Sequence, residues 1–133
     1  MHYLILYIAI LVPFCALDAI WLMTMGPTLY KPTLGDILLS SPKFAPIIAF
    51  YAMFPLGLIL FAVSPALRGG SVATAFILGA ALGAFAYATY DLTNFATVRN
   101  WTLQITALDI CWGAAISGLA SVAGYMVTRA VGV

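Results

Sequence analysis

Four runs of roughly 20 or more mostly apolar residues, about Tyr3 to Met25, Phe44 to Ser64, Ser71 to Phe95 and Leu103 to Val127, fill most of the chain. Each is long enough to carry a helix across about 30 Å of hydrocarbon. In lipid, where no water reaches the backbone, a helix satisfies its own N–H and C=O groups. The expected fold class is therefore all-α: a polytopic membrane protein whose four transmembrane helices form one compact bundle over residues 1–133. Charged residues make up only 7% of the chain, against about 25% in a soluble domain.

The first run lacks a positively charged leader region and a small-residue cleavage site, so it reads as a retained helix with Pro13 as a kink. Val12-Pro13-Phe14-Cys15 faintly resembles a lipoprotein box, but bulky Phe14 stands where a small residue belongs. Gly26-Pro27, Lys31-Pro32 and Ser40-Ser41-Pro42 mark an 18-residue connection, in which Thr33 and Asp36 suggest the cap of a short interfacial helix over Leu34 to Leu39. Ser64-Pro65 and Arg68-Gly69-Gly70 read as a tight second loop, and Thr97 to Trp101 as a short third one. The net charge of +1 is spread evenly, which excludes nucleic acid as a partner and leaves the bilayer as the certain one. Lys31, Lys43 and Arg99 on one side against Arg68 and Arg129 on the other set no orientation.

Three of the four acidic residues, Asp18, Asp91 and Asp109, fall inside the apolar runs. A carboxyl in lipid is expensive and by default marks a functional or pairing site. Consecutive spans alternate in direction, so the late positions of Asp18 and Asp91 and the early position of Asp109 place all three in one leaflet. Arg99 is near enough to snorkel toward Asp91, whereas Asp18 and Asp109 have no evident cation. Each must then be protonated, hydrogen-bonded, reached by water or bound to a cation, and at least one is expected to be neutral near pH 7.

Two patterns surround these acids. Leu17-Asp18-Ala19-Ile20-Trp21 is echoed by Leu108-Asp109-Ile110-Cys111-Trp112, with carboxyl and indole three residues apart on one helix face. In the third run Gly79, Gly83, Tyr87 and Asp91 recur every four residues, with Tyr90 and Asn94 beside them; in the fourth, Asp109, Gly113, Ser117 and Ser121 do the same. Small residues at this spacing let helix backbones approach, and polar ones bond across the gap. Cys15 and Cys111 read as small core residues.

Several chemistries are excluded. A retinal Schiff base needs a midspan lysine, and haem or zinc recruits His and Cys, yet the single histidine is His2. No phosphate loop, nucleophile elbow or His-Glu-x-x-His motif occurs, so no metal is expected and no cofactor is assigned. The candidate catalytic residues are Asp18 and Asp109 as acid and base. The candidate ligand-binding residues are Trp21, Tyr87, Tyr90, Asp91, Asn94 and Trp112.

Leu17-Asp18-x-x-Trp21-Leu22, Thr89-Tyr90-Asp91-Leu92-Thr93-Asn94-Phe95-Ala96-Thr97, Trp101 and Asp109-x-x-Trp112-Gly113 together resemble a family of small bacterial membrane proteins known as domain of unknown function 2177. The resemblance runs over nearly the whole chain. It implies a four-helix, multi-pass protein of the bacterial inner membrane and carries no activity, ligand or catalytic residue. Three functions fit: a membrane-embedded site that binds or alters a small lipophilic molecule, an accessory subunit of a larger inner-membrane complex such as a bioenergetic one, or a proton- or cation-coupled carrier acting as a homo-oligomer.

Overall fold

The computed structural model describes residues 2–132. Four long helices pack together: α1 His2–Leu34, α2 Phe44–Gly69, α3 Val72–Thr97 and α4 Leu103–Ala130. All four are long and apolar enough to cross a membrane. Large apolar side chains such as Val12, Met23, Met53, Leu60, Ile77 and Phe85 face outward, as contact with lipid requires.

The first two helices outrun their expected ends, and proline explains how. A proline in a regular helix lacks the N–H donor and presses on the carbonyl four residues earlier. Immediately before Pro32 the helix widens into a π turn over Gly26–Tyr30, where the Lys31 N–H bonds the Gly26 carbonyl. Before Pro65 it widens again over Ile59–Val63, where the Ser64 N–H bonds the Ile59 carbonyl. Each π turn accommodates the ring without ending the helix. Gly26-Pro27 and Ser64-Pro65 are therefore internal to helices rather than loops, which corrects the expected ends at Met25 and Ser64. Leu34 closes α1, and the expected interfacial helix over Leu34 to Leu39 gives way to turn and bend.

At 33 residues α1 is about 50 Å long at 1.5 Å per residue, well beyond the hydrocarbon thickness. Its last two turns fold over the start of α4: Leu29 and Leu34 bury against Ile105, with Met25, Tyr30 and Trp101 packed around them. Asn100 donates to the Asp36 carboxyl and ties the first connection to the third.

The remaining ends are capped in the ordinary way. The Ser71 hydroxyl accepts from the Thr74 N–H at 3.4 Å while the Thr74 hydroxyl accepts from the Ser71 N–H at 3.2 Å, so the loop between α2 and α3 contracts to Gly70 and Ser71. Thr102 opens α4 by accepting from the Ile105 N–H at 3.1 Å. Leu6, Ile10 and Phe14 of α1, Phe54 and Leu58 of α2, and Ile116 of α4 form the main core. Cys15 and Cys111 are free, and Cys111 is exposed rather than in the core.

α3 and α4 run antiparallel at close range. A Cβ on Gly79 would meet the Ser117 carbonyl at 2.8 Å and the Ser121 side chain; one on Gly83 would strike the Gly113 carbonyl and Ser117; one on Gly113 would strike the Tyr87 ring. Four residues forward on α3 thus match four residues back on α4, through Gly79 with Ser121, Gly83 with Ser117 and Tyr87 with Gly113. Without side chains in between, dispersion contacts between backbones replace the hydrophobic drive that lipid does not supply.

Candidate functional site

One further step in the α3–α4 register sets Asp91 opposite Asp109, and their carboxyls lie close enough to interact. The glycines therefore do more than join two helices: they fix the register that puts two acids together. Asp91 has no exposed surface, and neither carboxyl oxygen has a hydrogen-bond donor. Asp109 is half-buried, and its Oδ1 accepts from the Tyr30 hydroxyl at 2.6 Å.

Tyr30 reaches Asp109 only because α1 continues through its π turn. The Trp21 indole N–H in turn donates to the Tyr30 oxygen at 3.2 Å. The Asp18 carboxyl takes two donors from different helices, the Trp112 indole N–H at 3.0 Å and the Tyr51 hydroxyl of α2.

These bonds explain the echoed Asp-x-x-Trp motifs. α1 and α4 are antiparallel, so Asp18 meets Trp112 while Trp21 meets Asp109. Each tryptophan serves the opposite helix's aspartate, one directly and the other through Tyr30. Between them the Trp21 and Trp112 rings stack at a centroid distance of 4.6 Å and an interplanar angle of 6°. The stack contributes about 1 kcal/mol beyond its area. It also divides the polar region, because an indole N–H donates but cannot accept and so relays no proton. One part holds Tyr51, Asp18 and Trp112; the other holds Trp21, Tyr30, Asp109 and Asp91.

Tyr87 sits over Gly113, packs edge-on to Phe54 with centroids 6.5 Å apart, and lies within electrostatic range of Asp18 and Asp109. Tyr90 and Asn94 are peripheral. The Tyr90 ring is largely exposed and stands edge-on to Trp101 with centroids 5.5 Å apart, and Asn94 follows one turn later, half-buried. Thus Asp18, Trp21, Tyr87, Asp91, Asp109 and Trp112 come together, whereas Tyr90, largely exposed but within electrostatic range of Asp109 and Asp91, and Asn94 stand at the rim. Arg99 is exposed and makes no ion pair with Asp91, whose oxygens remain without a partner.

Sequence reasoning missed Tyr30 and Tyr51, the two hydroxyls that hold the acids. Tyr51 was signalled by its polar atom in an apolar run that also carries Phe50 and Phe54; Tyr30 was hidden by its position beyond Gly26-Pro27. No group of three or more potential metal ligands gathers among the described residues.

A family model described as a predicted membrane protein (DUF2177) matches residues 3–126. No curated protein and no solved structure matches the chain.

Proposed function

Because the chain belongs to this family of predicted membrane proteins of unknown function, we propose its role from the site itself: binding of a small lipophilic molecule in a bacterial inner membrane, with Asp91 and Asp109 facing the ligand. The observation that carries this reading is Asp91, fully buried with both oxygens lacking donors. An unsatisfied buried polar group costs about 1–3 kcal/mol, more when charged. A ligand that supplies the donors offsets that cost.

Asp109 keeps one oxygen free and some exposed surface, so it is the member of the pair that a ligand meets first. Asp18, with both oxygens occupied, orients Trp112 and through the indole stack Trp21. Tyr87 lies within electrostatic range of Asp18 and Asp109, and Tyr90 and Asn94 stand at the rim of the pair.

Purification from native membranes followed by mass spectrometry of bound small molecules tests the reading. Asp91→Asn and Asp109→Asn keep volume and most hydrogen-bonding capacity but remove titration. Each should fold yet lose the co-purifying molecule, and the pair should be non-additive because the two groups share one site. Retention of every bound component in both variants and the double, together with co-purifying protein, would move the assignment to an accessory subunit.

A further inference from the structure

With both carboxyls ionised, three oxygens lack a protein donor: both of Asp91, and Oδ2 of Asp109, whose Oδ1 is held by Tyr30. All five basic side chains, Lys31, Lys43, Arg68, Arg99 and Arg129, are exposed, so none fills the gap. Resting on the binding reading above, we infer that the ligand carries a primary ammonium, R–NH3+, that reaches the Asp91–Asp109 pair from the partly exposed Asp109 side, with its apolar tail leaving toward the bilayer.

A primary ammonium has three N–H donors and one positive charge. Three donors meet three acceptors, and the charge lets both acids stay ionised side by side. A quaternary ammonium brings the charge without donors, and an alcohol brings a donor without the charge. A divalent metal would need further ligands, and no cluster of three potential ligands is present among the described residues. The Tyr30 hydroxyl holds Asp109, and Tyr87 lies within electrostatic range of it.

Without ligand, the two carboxyls face each other across the α3–α4 contact, close enough to interact. With the ammonium seated, its positive charge faces both carboxyl groups. The titratable groups facing the pair are Tyr30 from α1 and Tyr87 and Tyr90 from α3, besides the two acids themselves; the α2 tyrosine, Tyr51, faces Asp18 instead.

Titration calorimetry on the purified protein in maltoside detergent, with n-octylamine, octyltrimethylammonium and 1-octanol as probes, tests this directly. Octylamine should bind, while the other two should bind about tenfold more weakly or worse, the factor carried by a charge-assisted hydrogen bond. Asp91→Asn and Asp109→Asn should each lose octylamine binding, and Asp36→Asn, in the first connection, should keep it. The comparison of probes on the wild-type protein stands even if a variant fails to accumulate. Nanodiscs of phosphatidylethanolamine that block octylamine, where phosphatidylcholine nanodiscs do not, would identify a lipid headgroup as the source; binding unchanged in both would identify a free amine. Equal binding of 1-octanol or octyltrimethylammonium, lost in Asp91→Asn, would overturn the ammonium class while leaving the site intact. No binding of any probe, with no molecule co-purifying from native membranes, would overturn both.

Discussion

Near Gly79, Ser121 and Gly124 the helices meet through missing side chains, whereas near Asp91 and Asp109 they are joined by hydrogen bonds among carboxyls, tyrosines and tryptophans. At the first end a Cβ on Gly124 would meet the Ile10 side chain at 2.6 Å, so α1 packs its side chains onto the bare backbone of α4 there, whereas α3 meets α4 backbone to backbone. Tight contact there leaves no room for a ligand. At the acid end, tyrosine and tryptophan donors link α1, α2 and α4, and the Asp91 oxygens are left without donors. The contrast separates what builds the bundle from what the bundle presents: dispersion contacts set the register, and the register then places the acids.

The largest effect should come from breaking the small-residue end. Gly83→Leu drives a branched side chain into the Gly113 carbonyl and Ser117, where overpacking costs about 3 kcal/mol or more. Thermal unfolding in detergent should show a lower midpoint or no folded protein at all; wild-type behaviour would mean that α3 and α4 are not apposed this way.

Tyr51→Phe probes the acid end without changing shape. It strips Asp18 of one of two donors, at a cost of about 1.5–3 kcal/mol for a bond to a charged group. A denaturation midpoint unmoved by this change would show that Asp18 does not depend on α2. Tyr30→Phe should cost less, about 1 kcal/mol, because Asp109 keeps exposed surface. Its sharper readout is the bound ligand, since freeing Asp109 Oδ1 adds an acceptor to the site. The two variants measured side by side rank the Asp18 half of the polar region against the Asp91–Asp109 half.

The smallest effect belongs to neither end's chemistry. Thr102→Ala removes the cap of α4 and should cost about 1 kcal/mol, seen as early hydrogen exchange at Ile105 and Thr106 rather than as ligand loss. A loss of ligand with this variant would tie the third connection to the site.

Apolar run length, the four-residue stripes on α3 and α4, and the buried acids were legible in the sequence, because hydropathy and helical spacing are local properties. They gave four spans, the packing faces, and Asp18, Asp91 and Asp109 as the residues to explain. Helix ends were less legible. Proline and glycine normally end helices in water, but Gly26-Pro27 and Ser64-Pro65 sit in or beside π turns, which keep the chain helical by changing one hydrogen-bond step. Missing that extension hid Tyr30, and with it the donor to Asp109.

Only the tertiary structure decided which acid meets which group. Nothing in either stripe alone states that α3 and α4 align Gly83 with Ser117, yet that alignment is what sets Asp91 against Asp109. Nor does the Asp-x-x-Trp echo reveal that each tryptophan serves the other helix's aspartate. Both depend on the relative position of antiparallel helices, which is fixed by side-chain fit between segments far apart in the chain rather than by the composition of either.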